Sequence, residues 1–248
     1  MNTIAGNMQH DGKTEMLKWE NMKDRLRIRV INAGKAIRDA KYKHTLKRVH
    51  PGGLMQIVTV DMGDTDSDNR KCVMQMLGTD ILPSYYGFDP GVLFHASVKN
   101  SARIDPPVLR RLNASVASFL TGVLPDNLLD DGSGAGEDNY FDGDTTAADN
   151  AYVLTTASGT YGASVLAYEY RCGSILDRVA DVIGEDYYVI PSSIHELILM
   201  PVSSCSHSTA KMQEMIRTIN QTVVQQDDVL SNYLYRYNVE DKTFEIVI

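Results

Sequence analysis

The sequence predicts an α+β fold, a mixed or antiparallel sheet with helices packed on it and a C-terminal β-hairpin. Three observations predict it. Tyr187-Tyr-Val-Ile190 and Ile194 to Met200 are β-branched and aromatic runs, bounded by Gly184 and Pro201. Thr209 to Val223 carries Met212, Met215, Ile216 and Ile219 at helical spacing. Tyr233–Tyr237 and Thr243–Ile248 read as a closing hairpin across Glu240-Asp-Lys. Strands separated by helices and ended by an antiparallel pair define the α+β class.

Taken in order, Trp19, Met22, Leu26, Val30, Ala33, Ile37 and Ala40 recur every three or four residues and predict a helix. Lys23, Arg27, Lys35 and Arg38 fall off that stripe, Gly34 weakens it by about 1 kcal/mol, and Pro51-Gly52-Gly53 ends the region. Leu54 to Val60 and Lys71 to Leu77 suit the two strands of a hairpin around a polar turn. Asp89-Pro90 is an N-cap and first-turn pair that opens a helix through Val98. Asp105-Pro-Pro predicts another, with Val108, Leu109, Leu112 and Val116 inward, stopped by Gly122 and Pro125.

Residues 126–150 are acidic and glycine-rich and read as a loop or linker. Beyond them, Tyr152–Thr156 and Ala163–Tyr168 read as paired strands around Ser158–Gly162. Ser174-x-x-Asp177 is a capping box with Asp in place of Glu, opening a helix that Gly184 ends. The organisation expected is therefore a basic front at 1–123, an acidic segment at 124–150 and an α+β region at 151–248, the last either separate from the front or continuous with it.

The 248 residues suffice for a real core, burying roughly 70–75% of the unfolded surface. Composition is near globular averages, with 43% hydrophobic and 23% charged residues. Cys72, Cys172 and Cys205 are odd in number and far apart, which fits a reducing compartment. With neither a signal-peptide pattern nor a run of about 18 apolar residues, a cytoplasmic, non-membrane protein is expected. The net charge of −8 is uneven: +7 over residues 1–53 against −8 over residues 124–150. A basic front can meet an anionic partner, though a solvated helix face explains it as well.

Several further segments look similar to one family. They are Tyr161-Gly-Ala-Ser-Val-Leu-Ala-Tyr168, Asp186 to Pro201 with its Pro191-Ser-Ser-Ile-His-Glu196 run, Met215-Ile-Arg-Thr-Ile-Asn220 and Val229 to Tyr237. The chain resembles the bacterial family known as domain of unknown function 5688, whose proteins occur in gut Firmicutes. The resemblance reaches into the front half through Lys23–Asn32 and Val49-His-Pro51 and implies no activity.

Candidate chemistry centres on Ser192, Ser193, His195 and Glu196, the residue types of nucleophilic hydrolysis. On an extended strand Ser193 and His195 share a face while Glu196 takes the other, so these residues form no relay alone. His195-Glu-Leu-Ile-Leu also lacks the second histidine of the H-E-x-x-H zinc signature. Asp64, Asp66 and Asp68 sit at calcium-loop ligand spacing, but Asn69 replaces the required glycine and Gln75 the closing glutamate. A solvated turn fits better. Asp130, Asp131, Glu137, Asp138, Asp142 and Asp144 read as a solubilising loop, and His44, His50 and His95 show no convergent ligands.

No cofactor is expected, since no phosphate-binding glycine loop, nucleophile elbow or metal signature is present. The reading favoured is a non-enzymatic binding or regulatory protein with a macromolecular partner, nucleic acid being the less favoured kind. The alternative is a hydrolase near the Pro-Ser-Ser-Ile-His-Glu segment, using Ser193 or His195 with a carboxylate such as Asp61 or Glu169.

Overall fold

Leu26–Asn32 forms a strand, β1, in the computed structural model, which describes residues 19–64, 71–75, 89–130, 150–170 and 173–247. The helix expected from Trp19 to Ala40 survives only as α1 (Trp19–Met22) and α2 (Ala33–Arg38). Beneath the helical spacing lies a period-2 pattern: Leu26, Ile28 and Val30 are buried while Arg27 and Arg29 alternate with them. That pattern wins because β1 pairs antiparallel along β3 (Leu54–Asp64), from Leu26 opposite Val60 to Asn32 opposite Leu54. Ile37, which a buried helical stripe would cover, is 67% exposed.

β3 is the centre of a four-stranded sheet. Its other side pairs with β2 (Lys47–His50) and then β4 (Lys71–Gln75), the latter making the expected hairpin. One face carries Leu26, Ile28, Val30, Leu54, Val58 and Val60 into the main core. The other carries Ile31, Met55 and Ile57, partly covered by Ala36 and Tyr42. α3 (Pro90–Ile104) packs along β1; the Asp89 side chain accepts the Gly91 N–H as its cap, and the helix runs a turn and more past Val98.

The second sheet has six strands. They are β5 (Pro107–Arg111), β6 (Tyr152–Thr156), β9 (Tyr187–Ile190), β10 (Leu197–Pro201), β11 (Tyr235–Asn238) and β12 (Thr243–Ile246), in spatial order β12-β11-β9-β10-β6-β5. A two-residue pair, β7 (Glu169–Tyr170) with β8 (Gly173–Ser174), stands apart. Every described strand pair is antiparallel, and β11 and β12 form the expected hairpin. β5 replaces the first half of the helix expected after Asp105; only α4 (Leu112–Thr121) remains helical. Pro106 and Pro107 fit this, since proline pushes the residue before it toward extended backbone. Ala163–Tyr168, expected as a strand, is instead a 3-10 segment, Gly162–Ala167.

Two helices match their sequence signals closely. α5 (Ile175–Ile183) starts at a reciprocal capping box between Ser174 and Asp177 and ends at Gly184 in the left-handed conformation. α6 (Thr209–Thr222) is capped by Ser208. Because β5 pairs with β6, and one core cluster runs from Met22 to Tyr237, front and back share a sheet and a core. Tyr168, Tyr187 and Tyr235 are its largest fully buried side chains, and their hydroxyls bond the Asp105 carbonyl, the Leu176 carbonyl and Ser231 Oγ. Gly52, at φ +76°, lets the β2–β3 turn lie on the Tyr235 and Phe244 rings, where a Cβ would come within 2.7 Å. No described helix is long and apolar enough to cross a membrane.

Candidate functional site

Pro191 to Glu196 is a turn, and β10 begins only at Leu197, so the face-sharing expected for Ser193 and His195 does not arise. Ser193 Oγ accepts the N–H of His195 at 3.0 Å, a short-range turn that competes with extension. Ser192 Oγ donates to Glu196 Oε1 at 3.2 Å, and the Ser193 N–H reaches the Glu196 carbonyl at 3.3 Å. Both hydroxyls are therefore engaged within the turn.

The turn's backbone is held from outside by three contacts, one of them the Ile194 N–H donating to the Asp228 carbonyl at 2.8 Å. Thr155 Oγ1 donates to the His195 carbonyl at 2.7 Å, and the Ile194 carbonyl accepts the Ala163 N–H at 3.1 Å. Gly162 makes this approach feasible, because a Cβ there would lie 1.9 Å from the His195 carbonyl oxygen. Its neighbour Tyr161 adopts the left-handed conformation, φ 54°, uncommon for a residue with a side chain. That places the Tyr161 N–H 3.1 Å from His195 Nδ1 and the two rings 5.7 Å apart.

Nδ1 thus accepts a hydrogen bond, and Nε2 faces Asp228 Oδ1 at 3.6 Å. The imidazole is half-buried between them, its side chain 38% exposed. Among the described residues no serine hydroxyl is hydrogen-bonded to this ring, so the structure does not assemble Ser192 or Ser193 with His195 as nucleophile and base. Asp61 instead pairs with Arg27 at 3.5 Å, and Glu169 is exposed in β7. Asp228 is the carboxylate that sequence reasoning missed. The only local signal for it was an acidic pair, Asp227-Asp228, in a polar connection.

Asp228, which faces His195, lines a cleft of ≈ 220 Å³. Lys35, Lys41 and Tyr42 line it from the β1–α2 side; Tyr161, Asp227 and Asp228 line it from the other. Lys35 Nζ spans the two at 2.5 Å from Asp227 Oδ1. Lys35's hydrogen bond and charge, with a further contribution from Lys41, hold the Asp227 carboxyl below the usual range. Beneath the Tyr161 ring the Arg29 guanidinium stacks 3.5 Å from its centroid. Burial strips water from that cation and lowers its basicity, with the nearby Tyr161 and Asp61 acting in the opposite sense.

The other candidates scatter. Asp66 and Asp68 lie outside the described residues, as do Asp131, Glu137, Asp138, Asp142 and Asp144. Asp64 closes the backbone of β3, its side chain outside the described part. Asp130 is exposed and accepts from Asn127 Nδ2. His44 and His95 are exposed, and His50 is buried against the Pro51 and Leu166 carbonyls. No group of three or more His, Cys, Asp or Glu among the described residues could hold a metal ion.

The fold and site define an α+β protein whose two larger antiparallel sheets, among the described residues, have four and six strands, with a small cleft of mixed charge where the loops of one meet the end of the other. The chain belongs to the family of unknown function DUF5688, whose model matches residues 1–239. No curated protein matches it, and no solved structure does.

Proposed function

We propose that this chain is a non-enzymatic binding protein of a bacterial cytoplasm, engaging a macromolecular partner through the surface built by residues 33–50. One observation carries the reading: this segment holds far more Lys and Arg than acid, in a chain whose net charge is −8. Arg38, Lys41 and Lys43 are exposed, and so are Ile37 and Val49, at 67% and 73%. Val49 pairs with Met55 on the face that α2 partly covers. Exposed apolar side chains among cations suit an acidic protein surface, where charge steers the encounter and the apolar groups supply contact. A nucleic acid suits it less, because the chain as a whole is acidic, with a sequence pI ≈ 5.2.

The turn at His195 supports the non-enzymatic part, since its serines are committed to their own backbone and neighbours. The test is co-purification from native bacterial lysate, comparing the wild-type chain with a double substitution, Arg38→Glu with Lys43→Glu, of unchanged circular dichroism. A partner retained by the wild type and lost on the double substitution is expected. If both chains retain the same proteins, or neither retains any, the reading fails. The hydrolase alternative draws on Asp228 facing His195; turnover of p-nitrophenyl acetate that disappears in His195→Ala would move the assignment there.

A further inference from the structure

We propose that the cleft between α2 and the 227–229 loop binds a free α-amino acid, its carboxylate against Lys35 and Lys41 and its ammonium against Asp227 and Asp228. The inference concerns a different ligand, although Lys35, Lys41 and Tyr42 belong to the segment that also builds the partner surface above.

Size sets the first limit. At ≈ 220 Å³ the cleft holds about seven waters at ~30 Å³ each, below the range of drug-sized ligand sites. Charge sets the second. Two lysines come from α2 and the 40–42 turn, and two aspartates come from the 227–229 loop, so the lining offers both signs from separate segments. A simple anion would meet two carboxylates, and a simple cation two ammoniums. A small zwitterion satisfies both.

Lys35 and Asp227 already show that the two sides are complementary, closing on each other at 2.5 Å with a second bond from Lys35 Nζ to the Asp227 carbonyl at 3.1 Å. The Lys35 side chain is 21% exposed but that of Asp227 is 85% exposed, so the carboxylate end of the pair is open to water and to a ligand that gives each member a new partner. Lys41 is exposed, its Nζ 5.2 Å from the Tyr42 ring centroid, and Asp228 faces His195 Nε2 at 3.6 Å. Tyr42 and Tyr161 flank the space, and Ile194 and Val229 give it an apolar patch for the ligand's side chain.

The position of Tyr161 is built. Arg29 supports its ring from below, its N–H is fixed on His195, and Gly162 next to it tolerates no Cβ. Such support keeps one side of the cleft in place before a ligand arrives, which reduces the ordering cost of binding.

The experiment is isothermal titration of the full chain with L-alanine, L-leucine, L-serine and L-glutamate, together with propionate and ethylamine, which are alanine without its ammonium and without its carboxylate. At least one amino acid should bind with millimolar or better affinity while both half-molecules fail. Asp228→Asn and Lys41→Met should each weaken that binding by about tenfold or more. Lys41→Met is the safeguard against a folding defect, because its side chain is exposed. Absence of binding by every amino acid overturns the proposal. So does propionate binding as well as alanine, which marks a plain anion site, or amino-acid binding untouched by both substitutions, which places the ligand elsewhere. The lysate test uses Arg38 and Lys43, neither of which lines the cleft, so the two proposals fail separately.

Discussion

The Ser101 hydroxyl accepts the backbone N–H of Ile28 at 2.9 Å, in a buried bond that links α3 to the open edge of β1. β3 occupies only one side of β1, so the N–H and C=O groups on the other side need partners that no described strand provides. Ser164 Oγ takes the Val30 N–H at 3.4 Å, and Asn100 Nδ2 reaches the Leu26 carbonyl at 3.4 Å. Side chains from two distant segments thus close the edge. Ser101→Ala leaves the Ile28 N–H buried without its acceptor and should lower stability by about 1–3 kcal/mol. Urea unfolding should show a lower midpoint at unchanged slope, and an unshifted midpoint would refute the edge-closing role.

Gly162→Ala should be more damaging. Its Cβ would lie 1.9 Å from the His195 carbonyl oxygen and 2.1 Å from Thr155 Oγ1, so either the 191–196 turn or β6 must move. A loss of about 3 kcal/mol or more is expected, at or beyond the usual range for overpacking. Thermal unfolding measures it, and an alanine protein as stable as the wild type would mean that the turn is not held where described.

His195→Ala removes the acceptor of the Tyr161 N–H and should cost about 1–2 kcal/mol, while His195→Asn can offer a carbonyl oxygen in its place and recover part of the loss. Thermal midpoints of the two proteins should therefore differ, Asn above Ala. Equal midpoints would show that the bond to Tyr161 contributes nothing.

Asp177 makes stability depend on pH. Burial penalises its charge, but hydrogen bonds from Tyr237, from the Ser174 backbone and hydroxyl, and from Lys242 outweigh that and hold the carboxyl at about 2. An unfolded aspartate titrates near about 4, so the unfolded chain binds the proton first as the pH falls. The stabilisation is complete above about pH 5 and drains between about pH 4 and pH 2. Asp177→Asn lacks that titration, so the gap in urea midpoint between wild type and Asp177→Asn should narrow on acidification. A gap constant from about pH 7 to about pH 2.5 would contradict the assignment.

How much of this was legible followed from where each partner lies. Ser174 and Asp177, Asp89 and Gly91, and the turn between Tyr237 and Thr243 are contacts made within a few residues, and the sequence patterns identified all three. The stretch from Leu26 to Asn32 satisfied two periods at once, and reading the helical one produced the error. Val108 and Leu109 likewise suited an apolar helix face until β6 paired with them. At the site, the sequence drew attention to His195 and to the segment around it, but it put Ser193 on a shared strand face and named Asp61 and Glu169 as carboxylates. Asp228, 33 positions further on, is the one the chain brings to the ring.

The amino-acid sequence alone determined the α+β class, the caps of α3 and α5 and the closing hairpin. Tertiary structure decided the rest: that residues 26–32 extend, that Ser192 and Ser193 turn back on their own segment, and that His195 sits between Tyr161 and Asp228 beside a cleft of mixed charge. The physical reason is range. A cap or a turn is chosen by hydrogen bonds available within a few residues, whereas an ambiguous period or an imidazole's partner is chosen by what distant chain packs against it.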